Sequence, residues 1–114
     1  MSVPKLSPGE FKVTSQTLDG VSVLALEGEL DLATAWLLTA ALERIDGDVV
    51  LDLHDLSFLD SHGLHLIFRR AETHHLVLAR PQPSIARLLE LTDSARILRV
   101  EETLEDAVAA DAGG

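Results

Sequence analysis

The spacing between apolar residues changes along this chain, and the changes mark its elements. Residues 11–18 alternate loosely, with Phe11, Val13 and Leu18 among polar neighbours, the period of a half-buried strand. Asp19-Gly20 is a tight-turn pair, and the aliphatic, β-branched residues 21–26 follow it, so the two runs predict a β-hairpin. Glu27-Gly28-Glu29-Leu30-Asp31 then breaks the pattern. Leu38, Ala41, Leu42 and Ile45 take helical spacing across residues 34–45, with Asp31 as N-cap candidate and Gly47 as the stop. At 100° per residue Trp36 lies about 160° from Leu38, so the only tryptophan is predicted to point outward as a candidate binding anchor.

Val49-Val50-Leu51-Asp52-Leu53 is nearly continuously apolar, as a strand buried on both faces of a parallel sheet must be. Leu56, Phe58 and Leu59 lead to Asp60-Ser61-His62-Gly63, after which Leu64, Ile67, Phe68 and Ala71 return to helical spacing. Leu76-Val77-Leu78-Ala79 is a second buried strand, stopped by Arg80-Pro81-Gln82-Pro83. Ser84 can cap a third helix that packs Ile85, Leu88 and Leu89 inward, with Leu91 a further candidate for that inward face. Residues 97–100 read as a last strand and 104–110 as a last short helix. The order is ββαβαβαβα, an α/β single domain with a mixed β-sheet and helices packed over it. Residues 1–10, with Pro4, Pro8 and Gly9, read as a flexible lead-in, 11–110 as the domain and 111–114 as a flexible tail.

Composition narrows the function classes. The 114 residues carry 19 acidic side chains against 9 Lys and Arg, a formal charge of −10, a field that repels phosphate backbones and disfavours nucleic acid as partner. There is no cysteine, which removes disulfides, thiol catalysis and thiolate-bound zinc. No apolar run approaches the ~20 residues that span a bilayer, and the first ten residues do not read as a signal peptide. A cytoplasmic protein without membrane partners is expected. The charge is uneven: residues 1–65 hold 11 acids and 3 bases, residues 66–100 hold 6 bases and 3 acids, and residues 101–114 hold 5 acids. Most of this is solvated surface; the acidic first half can also steer a basic partner.

Candidate chemistry concentrates in Phe58-Leu59-Asp60-Ser61-His62-Gly63-Leu64, between a buried strand and a helix. The carboxyl ends of strands in open α/β sheets face the functional crevice. A helix start there offers free N–H groups and a dipole that tolerates an added anion. If Ser61 were phosphorylated, this helix start would tolerate the new charge, and Gly63, lacking Cβ, allows close backbone approach. Taken alone, the same segment is read more simply with Ser61 as an N-cap. A nucleophilic Ser-His-Asp site is disfavoured, because Asp60, Ser61 and His62 are consecutive and position 59 is Leu, not the Gly of a nucleophile elbow. His54, His62, His65, His74 and His75 lack a zinc-ligand spacing and read as solvated or capping side chains, so no metal and no cofactor is expected.

These residues resemble the STAS domain family, and within it the bacterial anti-sigma factor antagonists. The resemblance rests on Gly28-Glu29-Leu30-Asp31, on Val49-Val50-Leu51-Asp52-Leu53, on Leu56-Ser57-Phe58-Leu59-Asp60-Ser61-x-Gly63-Leu64 and on Arg87-Leu88-Leu89-Glu90-Leu91-Thr92, in matching order across residues ~11 to ~110. It implies a STAS-like fold and a protein-interaction switch rather than an enzyme. Unmodified, such a protein binds an anti-sigma factor that is itself a serine kinase, and so frees a sigma factor for transcription. Phosphorylated on the serine that matches Ser61, it lets go, and a serine phosphatase resets it. Asp31 would then lie close to Ser61, and Asp31, Trp36, Asp60, Ser61, His62 and Gly63 would form the partner-binding region. His62 stands where the family commonly has a small residue, and the stretch from Gly63 to Leu76 is shorter than usual. The alternative within the same family is a constitutive scaffold in which Ser61 is never phosphorylated.

Overall fold

The computed structural model describes residues 9–112. Strands β1 (Phe11–Leu18) and β2 (Val21–Leu30) form the expected antiparallel hairpin, with Asp19 and Gly20 both at positive φ in its turn. Helix α1 (Ala35–Glu43), strand β3 (Val49–Leu59), helix α2 (Ser61–Thr73), strand β4 (Leu76–Ala79), helix α3 (Pro83–Leu91), strand β5 (Arg99–Glu101) and helix α4 (Leu104–Ala112) follow. A single 3₁₀ turn, Ser94–Arg96, precedes β5. The five strands lie side by side in chain order, β2 to β5 parallel and β1 antiparallel at one edge. The mixed α/β sheet and the element order are those expected from the hydrophobic spacing.

Strand alternation divides the apolar residues between two cores. Leu24 and Leu26, Val49, Leu51 and Leu53, and Leu76 and Leu78 enter the larger one with Leu38 and Leu42 of α1, Leu64 and Ile67 of α2, and Ile85 and Leu89 of α3. Val21, Val23, Val50, Val77 and Ala79 enter the smaller one with Ala107 and Val108 of α4. Three helices thus cover one face and α4 the other, which is why β3 and β4 are continuously apolar. Asp52, the polar exception in β3, is buried in a bidentate pair with Arg80, whose Nε and Nη2 donate to its two oxygens at 2.9 Å. Burial would raise the Asp52 pKa, but the Arg80 hydrogen bond, the His54 N–H and the guanidinium charge together hold it below the usual carboxylate range.

Several boundaries differ from the sequence expectation. Strand β3 runs to Leu59 because its pairing with β2 shifts twice, between Ala25 and Glu27 and between Gly28 and Glu29. Each shift adds one residue on the β3 side. Leu53, Leu56 and Leu59 therefore enter the same core at a spacing of three. Helix α3 starts at Pro83, whose fixed φ suits a first helical position, so Gln82 rather than Ser84 is its N-cap residue. Leu91 is exposed rather than packed inward, β5 spans only Arg99–Glu101, and α4 continues to Ala112. The lead-in over residues 1–8 and the tail at 113–114 lie outside the described residues.

Candidate functional site

At the carboxyl end of the sheet, Asp60 joins three pieces of chain. Its backbone is extended (φ −100°, ψ −177°) and it is the N-cap of α2. Oδ1 accepts from the His62 and Gly63 N–H groups at 2.9 and 3.0 Å, and Oδ2 accepts from Leu32 N–H at 3.2 Å. The Asp60 N–H donates to Leu30 O at 3.1 Å. The strand end of β3, the start of α2 and the β2–α1 loop are thereby held by one carboxylate. Partial burial pushes the Asp60 pKa up, but the N–H groups of Gly63, Leu32 and His62, with the His62 ring, outweigh it and hold it below the usual carboxylate range. Asp60 is therefore ionised at neutral pH.

The β2–α1 loop carries its own cap. Asp31 Oδ1 accepts from the N–H groups of Ala33 and Thr34 at 2.9 and 3.1 Å, while Asp31 N–H donates to Thr34 Oγ1 at 3.0 Å. This reciprocal pair works as a capping box, but the regular helix starts only at Ala35, with Thr34 as the N-cap residue. Asp31 thus caps a turn that precedes α1 rather than α1 itself. Thr34 Oγ1 donates onward to Glu29 O, and Ser57 Oγ donates to Gly28 O. The second bond fastens β3 to β2 where the ladder shifts register.

Ser61 is exposed at the first position of α2, and the cap beside it is Asp60, so the hydroxyl has no capping duty. His62 is exposed as well, with Nδ1 3.5 Å from Asp60 Oδ2. Gly63 is buried: a Cβ there would stand 2.7 Å from Leu30 Cγ, 2.8 Å from Leu59 Cδ1 and 3.0 Å from Leu30 O. Only glycine allows α2 to start this close to the ends of β2 and β3. Trp36 points outward as expected, 66% exposed in the first turn of α1.

Two further residues of this edge were not among the expected partner-binding residues. Leu32 is 68% exposed and Phe58 46% exposed. Leu32 adjoins Asp31 and donates to Asp60, and Phe58 lies two residues before Asp60 opposite Glu29. Large side chains held in water on a capped loop and a strand end are partner-surface candidates. Leu32 carries a signal visible in the sequence, being an aliphatic residue outside the α1 apolar face. Phe58 carried none, because its outward direction depends on the second register shift.

The arginines with assigned partners lie elsewhere. Arg70 donates to the carbonyls of Leu42, Ile45 and Gly47, Arg80 pairs with Asp52, and Arg99 pairs with Glu101. Asp60 Oδ1 already occupies the N–H groups of His62 and Gly63, the donors a helix start would otherwise offer an anion. Neither His62 nor His65 belongs to a group with metal-ligand geometry; among the described residues that geometry occurs only at the opposite end of the sheet.

Residues 12–107 match the STAS domain family. The chain is 32% identical to the anti-sigma-F factor antagonist RsfB of Mycobacterium tuberculosis (strain ATCC 25618 / H37Rv), covering 95% of each protein. It is 30% identical to BtrV, a putative anti-sigma factor antagonist of Bordetella bronchiseptica (strain ATCC BAA-588 / NCTC 13252 / RB50), covering 88% of this chain and 94% of that one. Its fold superposes on the crystal structure of an anti-sigma factor antagonist from Mycobacterium paratuberculosis with a TM-score of 0.86 at 28% identity, over 93% of this chain and 97% of that one. The chain belongs to the STAS domain family, and the relatives it matches along nearly their whole length are anti-sigma factor antagonists.

Proposed function

We propose that this protein is an anti-sigma factor antagonist switched by phosphorylation of Ser61. Unmodified, it binds an anti-sigma factor in the cytoplasm through the edge formed by Asp31, Leu32, Trp36, Phe58 and the Asp60–Gly63 segment, and so releases a sigma factor for transcription. The anti-sigma factor is also the serine kinase that modifies Ser61, and a serine phosphatase reverses the step. The chain itself is no enzyme in this scheme. The reading is carried by one observation: an exposed hydroxyl without capping duty stands next to an ionised carboxylate whose oxygens hold the local backbone in place.

Phosphate on Ser61 adds about −1.5 to −2 charge at neutral pH. The nearest helix-start donors already serve Asp60, so the new oxygens turn toward solvent or partner. In a closed interface that charge meets Asp60 and is buried unpaired, a cost of several kcal/mol, and each ~1.4 kcal/mol is tenfold in affinity. Release then needs no change of fold. Ser61 lies outside the cap hydrogen bonds, which favours this reading over a constitutive scaffold in which Ser61 serves only as a cap.

The test pairs the protein with the anti-sigma factors of its own source. Incubation with the kinase and ATP is expected to add about 80 Da at Ser61, and Ser61→Asp is expected to lose at least tenfold in affinity while Ser61→Ala keeps the parental value. Trp36→Ala is expected to weaken binding by ~2 kcal/mol or more. Equal affinities for the parent, Ser61→Ala and Ser61→Asp would overturn the switch.

A further inference from the structure

The amino ends of the parallel strands carry a second cluster of polar side chains, at the other end of β3 from Ser61. Asp48 immediately precedes β3, His75 immediately precedes β4, and Asp111 lies in the last turn of α4. One potential ligand atom from each lies within 4.8 Å of the other two. The Asp111 side chain is only 5% exposed, yet its Oδ1 has no hydrogen-bond partner, and neither has the buried His75 Nδ1. These two atoms face each other at 3.4 Å, beyond the range of a good N–H···O bond. Asp48 Oδ1 is fixed by the His75 N–H at 3.0 Å, which ties two of the three residues together through the backbone.

Burying a carboxylate oxygen without a donor is costly, and a second carboxylate beside it adds to the cost. Burial first, and then the Asp48 charge, push the Asp111 pKa up, against a smaller opposing pull from His75. Arg99 does not relieve this: it borders the same indentation as Asp48 and His75, but its guanidinium pairs with Glu101. One imidazole nitrogen and two carboxylates form a donor set suited to a borderline divalent cation, with remaining positions filled by water. A shallow depression lined by Asp19, Ser22, Gly47, Asp48 and Asp111 opens the cluster to solvent, which gives an ion a route in.

We propose that Asp48, His75 and Asp111 bind one divalent transition-metal ion of the zinc class, clamping the end of α4 to the amino edge of the sheet. A single ion satisfies both orphaned atoms and neutralises the two acids together, whereas a proton on His75 brings one positive charge to two carboxylates. The site is independent of the Ser61 switch, because it stands at the opposite end of the strands and shares no residue with it.

The test uses the full chain, stripped with chelator and titrated with Zn²⁺, with Mg²⁺ as control, by calorimetry and by thermal melting. One equivalent of Zn²⁺ is expected to bind and raise the Tm, reversibly on chelation, with Mg²⁺ giving no comparable shift. Asp111→Asn and His75→Gln are each expected to lower Zn²⁺ affinity by roughly tenfold or more, as loss of even an outer-shell partner commonly does. His62→Gln and His65→Gln are expected to leave it unchanged. In the parent, bound Co²⁺ should show a visible spectrum that His75→Gln alters. Equal Zn²⁺ affinity in the parent, Asp111→Asn and His75→Gln, or no Zn²⁺-dependent rise in Tm, would overturn the proposal. Since Asp111→Asn removes a buried charge and conserves shape, a misfolded variant does not confuse the result.

Discussion

Asp60 and Asp111 stand at opposite ends of the same sheet and are displaced in opposite directions from the ordinary carboxylate. Three backbone N–H groups outweigh burial at Asp60 and hold its pKa down; at Asp111 burial and a neighbouring acid hold it up. Position in the parallel strands accounts for the contrast. At the carboxyl end a helix begins, its N–H groups point outward, and an acid placed there is solvated by the backbone. At the amino end the strands are only starting and α4 is finishing, so the free backbone groups of the helix are carbonyls, which repel an anion. The first end stabilises an acid in its charged form, and the second stabilises it only if a proton or a cation joins it.

The largest effect that would break this contrast is steric. Gly63→Val inserts side-chain atoms where Leu30 and Leu59 already stand and is expected to cost about 3 kcal/mol. The Tm should fall by about 4 °C for each kcal/mol. A Tm within a degree of the parent would show that α2 can retreat from the strands. Asp60→Ala comes next, with an expected loss of ~1–2 kcal/mol, the usual value of an N-cap, read in urea unfolding at pH 7. The Asp60 pKa is depressed in the fold, so its contribution is complete above the unfolded-state value of about 3.9. It is lost as pH falls through the lower folded-state value. The difference between Asp60→Ala and parent should therefore shrink in strong acid.

Asp111→Asn is expected to do the reverse in chelator. Its pKa is raised in the fold, so ionisation opposes folding above the unfolded-state value, and the variant should melt higher than the parent at pH 7. That advantage should vanish as the solution is acidified and the parental carboxyl takes up its proton. A stability difference with the same sign and pH slope at both aspartates would remove the contrast. The smallest effect is expected at Ser61, where Ser61→Ala should change stability by no more than about 0.5 kcal/mol, since the hydroxyl caps nothing. A larger loss by calorimetry would return Ser61 to a structural role.

Element types and order were legible because burial on two faces leaves a plain record. Val49 to Leu53 and Leu76 to Ala79 are apolar at almost every position, and α1, α2 and α3 repeat at helical intervals. The outward direction of Trp36 followed from the same geometry. The second half of β3 was not legible as a strand, since its register shifts change the apolar interval from two to three and imitate a helix or loop. At the candidate site the sequence marked Asp60, Ser61 and Gly63, but not how they divide the work. Whether aspartate or serine caps α2 is decided by side-chain direction, and both residues are good caps. The Asp48, His75 and Asp111 cluster left no motif at all, because strand pairing and the docking of α4 bring together residues 27 and 36 positions apart.

The two extra residues in β3 have a consequence for how such a protein tolerates change. Between Asp52 and Asp60 the strand counts positions like a vernier against β2, and the count decides whether Phe58 faces water and Leu59 faces the interior. Exchanging one side chain for another there alters a contact. Deleting a single residue removes one of these shifts or slides every later position against β2, so variation in this segment is constrained in length more tightly than in composition.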